Sequence, residues 1–555
     1  MKSDIIIKNA KIFTAAAEKP LADALVVKDG RFVYVGDEAG LSDYVGEVLD
    51  LGGKFIMPGI IDSHVHVTLS VGYEYLDYGT PIESSSKTEA LEKMAEIIRK
   101  DPGQQQYRFF LERKSLQGED IVKEDLDRIC PDGEVIIIEE EFHSIWMNSA
   151  VLKKRNITDD TPDPIPGLSY YVRNDGHVTG NAIESTVMPI VFENTDDITD
   201  KQIDDALKRW IDFSVNNGVS CVFDSGIPEC IEFHERVYKR LQNMDRQGKL
   251  PVYIDGCYLI CRPEDAERGI DQLKRFNREY NTEHLKIHTL KIFMDGTFKI
   301  GTAALIKPYK DTNECGTTSF NKAQLVDLII QLNEEGFDLH LHTVGDAASK
   351  TVLDAVETAR KELGDAYRIK ITCAHLEIQD DADFERFAEL GVFANFSPWW
   401  HSGNLGDHPY DVWCSVLGEK RAGNMYRCKT LWDTGALVTW SSDEVYYDDF
   451  TTWNPYLGME VGMTRIITEN TKAYDWYITK DAFPSDRERM SIEEMILGYT
   501  INGAIQLGIE DRKGSIEVGK DADFLVFDND LLTSEHEGFS YNEPVEVYFC
   551  GEKVK

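Results

Sequence analysis

Phe55-Ile56-Met57-Pro58-Gly59-Ile60-Ile61-Asp62-Ser63-His64-Val65-His66 is the stretch that decides how this 555-residue chain is read. It is an apolar run that becomes polar only at its end. On a β-strand, residues two apart share a face, so His64 and His66 point the same way from the carboxyl end of a buried strand. Two imidazoles so placed make a bidentate grip for a divalent ion. His-x-His alone arises often by chance. It gains weight here because further ligand-type side chains end apolar strands downstream.

Beyond this strand the middle of the chain alternates short apolar strands with longer amphipathic stretches, the pattern of parallel βα units. The strands are expected at Phe55–His66, Val219–Ser225, Val252–Ile260, Leu290–Asp295, Asp338–His342, Ile369–His375, Val392–Ser397 and Leu437–Ser442. Helical stretches such as Lys322–Glu335, Ala347–Leu363 and Asp380–Leu390 fall between them. The fold class is therefore α/β, a (β/α)8 TIM barrel with its site at the carboxyl ends of the strands. The gap between the first two strands is too long for a loop, so an inserted subdomain is expected at about 68–215, over the barrel mouth. It should hold a helix at Thr88–Lys100, a strand at Glu134–Glu139 and a turn at Asp175–Gly180. Both ends of the chain read as short strands and turns, with Asp29-Gly30 as a hairpin signal. Residues 1–57 and 511–555 are accordingly expected to form one composite β-sandwich domain flanking a barrel domain at 58–510.

Bulk composition excludes several classes of function. Hydrophobic residues make up 42% and aromatics 10%, as in a globular protein. No apolar run approaches the roughly 20 residues that span a bilayer, and the start reads as a strand rather than a signal peptide. A cytoplasmic enzyme is the expectation. With 98 acidic and 59 basic side chains the formal charge is −39, which repels nucleic acid and anionic membrane. The ten cysteines form no Cys-x-x-Cys pair and are expected to be reduced core thiols.

Candidate ligands recur at strand ends. Lys291 sits inside an apolar strand, where a lysine is costly unless paired or neutralised. His342 ends the fifth strand, His375 the sixth, and Asp443 follows the eighth. His340 shares a face with His342 but lies deeper, as a hydrogen-bonded core residue would. Imidazole and carboxylate ligands suit Zn²⁺ or another first-row divalent ion, and an aspartate touching both metal and water can take a proton. After the seventh strand, Trp399-Trp400-His401 suits either a substrate-facing wall or packing beneath the insertion. Arg465, after the eighth strand, suits a partner among surface acids or a substrate carboxylate.

These segments resemble the amidohydrolase superfamily, and within it the amidohydrolase 3 group of YtcJ-like proteins and N-substituted formamide deformylases. Pro58–His66 is similar to the first-strand signature, and Lys291-Ile292-Phe293-Met294-Asp295-Gly296 to the group's Lys-x-x-x-Asp-Gly segment. His342-Thr343-Val344-Gly345-Asp346, Ala374-His375, Ser442-Asp443 and the closing Gly514–Asp523 also match. The resemblance implies a metal site in which His64 and His66 hold one ion, His342 and His375 a second, and Lys291 bridges them as a carbamate formed with CO₂. Asp443 would complete the site and serve as general base and acid. One or two ions, zinc or another divalent metal, fit this pattern. Gly176–Glu184 resembles the group's Gly-x-x-Thr-Gly-x-x-x-Glu turn. Glu141-Phe142-His143-Ser144 resembles its Asp-Gly-His-Ser segment, with Glu141 and Phe142 replacing Asp and Gly. Phe142 is expected to reshape the pocket, and His143 to reach the substrate carbonyl or serve structure. Glu141, Phe142, Asp295, Trp400 and His401 are the expected substrate-side residues.

The function so implied is hydrolysis of a non-peptide, amide-like C–N bond, N-acyl or N-formyl, by a metal-activated water. Deamination of a cyclic amidine, or opening of a lactam or lactone, is the alternative on the same fold. A non-catalytic binding barrel is disfavoured because all six candidate ligands are present. The partner is a small-molecule substrate, and a homodimer is expected only on the general ground that helical faces of such barrels pair.

Overall fold

The decisive apolar run breaks at Gly59. This computed structural model describes residues 2–73, 75–116, 118–140, 142–228, 232–402, 409–444, 452–472 and 481–555. The single strand expected at Phe55–His66 is two. Phe55–Pro58 pairs with the terminal strands Lys11–Phe13 and Phe524–Phe527. Ile60–Val65, here β1, joins the barrel, and His66 lies just beyond it. The hydrogen-bond partners change at the break: Gly59 N donates to Asp523 O, and Ile60 N to Gly218 O. A Cβ on Gly59 would stand 2.2 Å from Ser220 Oγ, so only glycine allows this crossing.

The barrel continues with β2 (Val219–Asp224), β3 (Tyr253–Ile260), β4 (Leu285–Phe293), β5 (Asp338–Thr343), β6 (Ile371–His375), β7 (Phe393–Phe396) and β8 (Val438–Trp440). Neighbours pair in sequence order, all parallel, as an eight-stranded sheet. The fourth strand starts five residues before the expected Leu290, because Leu285 and Ile287 already alternate into the core. Helices Phe233–Arg246, Ala266–Tyr280, Lys322–Glu335 and Asp346–Leu363 cross between strands, each burying one apolar stripe.

Hydrogen bonds through side chains and loops complete the ring between β8 and β1. Ser63 Oγ donates to Trp440 O at 2.8 Å, and Asp443 N to His64 O at 2.9 Å. The Asp62 carboxylate accepts from Ser442 N, Ser442 Oγ, Trp453 Nε1 and His64 N. Burial still pushes this carboxyl up to about 7, against those bonds.

Between β1 and β2 lies a six-stranded mixed sheet, ordered Tyr170–Asn174, His177–Ile183, Ser144–Met147, Glu134–Glu139, Gln106–Leu111, Thr80–Pro81. Its strand Glu134–Glu139 is apolar on both faces for a reason. Ile136 and Ile138 pack into the barrel-side core, while Val135 and Ile137 pack beneath the helix Lys87–Lys100. At the termini, the sheet formed by Lys2–Lys8, Ala24–Lys28, Arg31–Gly36 and Val45–Asp50 faces a sheet drawn from both ends of the chain. Their shared core includes Ile7, Leu25, Phe32, Ile56, Phe524 and Tyr548. Asp29 and Gly30 both have positive φ, as a two-residue hairpin turn requires.

The cysteines among the described residues are free, and Cys230 lies outside them. No described helix is long and apolar enough to cross a membrane. Gly59→Ala should cost about 1–3 kcal/mol by overpacking, read as a lower denaturant midpoint with an unchanged slope.

Candidate metal centre

At the carboxyl ends of the strands, the six side chains chosen as ligands converge. His64 Nε2 stands 3.2 Å and His66 Nε2 3.4 Å from Asp443 Oδ1, and His375 Nδ1 is 3.7 Å from Asp443 Oδ2. Lys291 Nζ lies 3.4 Å from His64 Nε2, and the His342 and His375 rings are 4.4 Å apart. One ligand atom each from His64, His375 and Asp443 lie within 4.8 Å of one another.

Burial sets the charge of this cluster. It pushes His64 and His375 far below the usual imidazole range and His342 down to about 3, with Lys291 adding to each shift. All three are therefore neutral at pH 7, the form that ligates a metal. Burial also lowers the Lys291 ammonium to about 8, although Asp443 opposes the shift. Burial acts to raise Asp443, but His375, His66 and Lys291 outweigh it and hold the carboxyl below its ordinary range. His342 Nε2, His375 Nδ1 and Asp443 Oδ1 are buried with no hydrogen-bond partner among the described residues. Such orphaned acceptors are costly unless a cation completes them. Neutral imidazoles with a carboxylate and an amine fit a first-row divalent ion.

Neighbouring groups aim the ligands. His66 Nδ1 is 2.8 Å from Gly226 O, which requires a proton on Nδ1 and leaves Nε2 toward Asp443. His64 Nδ1 pairs at 2.9 Å with His340 Nε2, leaving His64 Nε2 toward Lys291 and Asp443. His340, stacked on Phe223, is the hydrogen-bonded core residue expected, and the bond it makes orients His64. The backbone turns left-handed at His375 (φ 78°) and Asp443 (φ 52°), a strained conformation for side-chain-bearing residues.

The expected substrate-side residues separate. Trp400 stacks on His375, rings 5.5 Å apart and 15° from parallel, and so walls the centre. His401 does not share that wall. It is buried against Tyr426 and Cys428, because the tight turn Pro398–Ser402 sends successive side chains in different directions. Asp295 accepts hydrogen bonds from the backbone N–H of Val344, Ala304 and Gly345, so its carboxylate ties the loops after β4 and β5 instead of facing substrate. Phe142 (φ 61°) packs edge-on to Tyr73 and Tyr78 and beside Phe110, within the insertion. Glu141 lies outside the described residues. Arg465 is fully buried and is in no ion pair with an acid among the described residues.

The insertion delivers a paired histidine and glutamate. His143 Nδ1 is 2.8 Å from Glu184 Oε2, while Thr302 Oγ1 donates to Glu184 Oε1 at 2.6 Å. Burial acts to raise the Glu184 carboxyl, but His143 and Thr302 hold it below its usual range. A Cβ on Gly296 would come within 2.1 Å of Glu184 Oε1, which explains the glycine that follows Asp295. The contacts of Glu184 with Thr302 and Gly296, in the segment that follows β4, place the pair at the carboxyl-end rim of the barrel. In the sequence Glu184 is only the end of a turn motif, and nothing in the spacing joins it to His143 across 41 residues.

A parallel eight-stranded barrel with this His, Asp and Lys cluster at its mouth defines a metal-dependent hydrolase. The chain belongs to the amidohydrolase family, whose Amidohydro_3 model matches residues 47–554. It is 26% identical over 546 residues to an N-substituted formamide deformylase of Arthrobacter pascens, covering 95% of this chain and 94% of that protein. It is 25% identical over 535 residues to the putative amidohydrolase YtcJ of Bacillus subtilis (strain 168), covering 94% and 93%. A metal-dependent hydrolase of Pyrococcus horikoshii OT3 superposes with a TM-score of 0.65 at 22% identity, covering 96% of this chain and 99% of that one, which supports the fold.

His340→Phe preserves ring volume and the stack on Phe223 but removes the support of His64. Metal affinity should fall about 10–100-fold, measured by competition with a chromogenic chelator.

Proposed function

We propose that this chain is a zinc-type amidohydrolase acting on a non-peptide, amide-like C–N bond, N-acyl or N-formyl, of a small molecule. In this reading the barrel at 58–510 carries the chemistry, and the sandwich of 1–57 and 511–555 braces it. The observation that carries the reading is the convergence of His64, His66, His342, His375 and Asp443 around Lys291, with three of their buried atoms lacking partners. Lys291, with its ammonium lowered to about 8, retains enough free amine near neutral pH to take up CO₂ as a carbamate, which converts a buried cation into an anionic ligand.

A divalent ion bound by this donor set supplies Lewis acidity and lowers the pKa of water toward neutrality. The chain's own groups then divide the work. Asp443, strained and partly open to the mouth, takes a proton from the attacking water. As the C–N bond breaks, Asp443 returns that proton to the leaving nitrogen, so the products are a carboxylic acid and an amine. With Glu184 holding its Nδ1–H, His143 in its doubly protonated form donates Nε2–H to the carbonyl oxygen as negative charge builds there. Trp400 gives the acyl or amine substituent an apolar face beside His375.

Elemental analysis of protein purified without added metal should find one to two equivalents of zinc or a similar ion, with much less in Lys291→Ala. No bound metal, and no gain on adding zinc with bicarbonate, would overturn the reading. On an N-formyl and N-acyl panel, Asp443→Asn should lower kcat by about 10²–10⁴-fold. Glu184→Gln should lower kcat by about 10²-fold through misplacement of His143 while metal content stays at the wild-type level. Turnover of cyclic amidines or lactams alone would transfer the assignment to that branch of the fold.

A further inference from the structure

Behind Trp400 the structure gathers buried hydrogen-bonding groups, donors foremost among them, that have no acceptor. Arg465 (0% exposed), at the end of helix Pro455–Thr464, spends one terminal nitrogen on Tyr426 O at 2.6 Å. Its Nε and its other terminal nitrogen meet no oxygen or nitrogen acceptor among the described residues, the remaining polar neighbour being the Cys428 thiol. Trp413 Nε1, His401 Nε2 and Ser402 Oγ have no hydrogen-bond partner among the described residues, in side chains of residues that are at most 2% exposed. These side chains meet around one stretch of backbone. The Tyr426 ring lies 4.9 Å from the His401 ring and 5.8 Å from that of Trp413, and Cys428 Sγ is 3.8 Å from His401 Nδ1.

The charge balance points in the same direction. A guanidinium stays protonated in any protein setting, and burying one without an anion is strongly unfavourable. Cys428 does not neutralise it, because burial raises that thiol to about 11 and keeps it uncharged. Glu488 acts on Arg465 only through space, its carboxylate being taken by the Thr430 amide and hydroxyl. A fork of guanidinium N–H groups with an indole N–H and a hydroxyl is the donor geometry of a small planar oxyanion.

We propose that Arg465, Trp413, His401 and Ser402 form a binding site for a carboxylate, one that anchors the anionic end of the substrate on the far side of Trp400 from the metal centre. The placement follows from the chain: Trp400 stacks on His375, and the next residue, His401, already belongs to the donor cluster. The substrate class is then an N-acylated or N-formylated compound bearing a carboxylate. That class rests on the hydrolase reading above, whereas the anion site itself does not.

Titration calorimetry of the holoprotein with acetate and with phosphate, at constant ionic strength set by chloride, tests the site without turnover. Binding should weaken at least about tenfold in Trp413→Phe, which keeps the ring but removes one donor to a charged group. It should vanish in Arg465→Met. If Arg465→Met fails to fold, Trp413→Phe carries the test alone. Absence of oxyanion binding, or binding indifferent to Trp413→Phe, would mean that water fills the site and would overturn the proposal. A matched pair of N-formyl compounds, one with a free carboxylate and one with its methyl ester, identifies the source of the anion. A kcat/KM preference for the carboxylate that falls about tenfold in Trp413→Phe assigns the site to substrate. Acetate or phosphate binding without that preference assigns it to a free anion and overturns the substrate role. Failure of every amide to turn over would count against the hydrolase reading and leave the calorimetric result standing.

Discussion

The seam between the last and first barrel strands is the constraint on which the site depends. β8 is only three residues long, so the backbone ladder there is short and side chains carry much of the closure. Asp62 binds Ser442 and Trp453 across the seam, and Asp443 N binds His64 O directly. That one amide fixes the separation of the first histidine ligand from the aspartate that faces it. Without the seam, His64 and Asp443 are two residues 379 positions apart with no reason to meet. The left-handed backbone at Asp443 is the local strain by which its carboxylate is turned back over the mouth.

Desolvation accounts for the chemistry of the cluster. Imidazoles surrounded by protein lose their protons, and a buried ammonium moves toward neutrality. Both shifts favour the uncharged forms, which are the ones able to ligate a metal. The support of those ligands is equally buried: His340 behind His64, and the Gly226 carbonyl behind His66. The Gly226 carbonyl can only accept and so fixes the His66 tautomer, while the His340 contact fixes the orientation of the His64 ring.

The insertion between β1 and β2 brings a His143–Glu184 pair to the barrel as well as a packing surface. Its strand Ser144–Met147 begins just after His143, and its strand His177–Ile183 ends just before Glu184, so two adjacent antiparallel strands present both members of the pair at the same edge. The barrel accommodates them through Gly296, where any side chain would displace the Glu184 carboxylate, and through Thr302. The Lys-x-x-x-Asp-Gly segment thus performs three tasks within six residues. Lys291 faces the metal ligands, Asp295 ties the loops after β4 and β5, and Gly296 leaves room for Glu184.

The sequence by itself determined the barrel, its strand order and the six ligand candidates. Short continuous apolar runs and strand-end His, Lys and Asp residues are local signals, and a parallel barrel brings every strand end to one rim. Tertiary structure alone decided which neighbours of those residues serve the site. Trp400 and His401 are adjacent in sequence, yet one walls the centre and the other turns into a buried donor cluster, because a tight turn has no fixed periodicity. Asp295 reads as a pocket residue until three backbone amides from distant loops claim its carboxylate. The break at Gly59, the pairing of Glu184 with His143 and the burial of Arg465 likewise depend on contacts between segments far apart in the chain. Local spacing carries no record of such contacts, since they exist only once the barrel has closed and the insertion has docked on it.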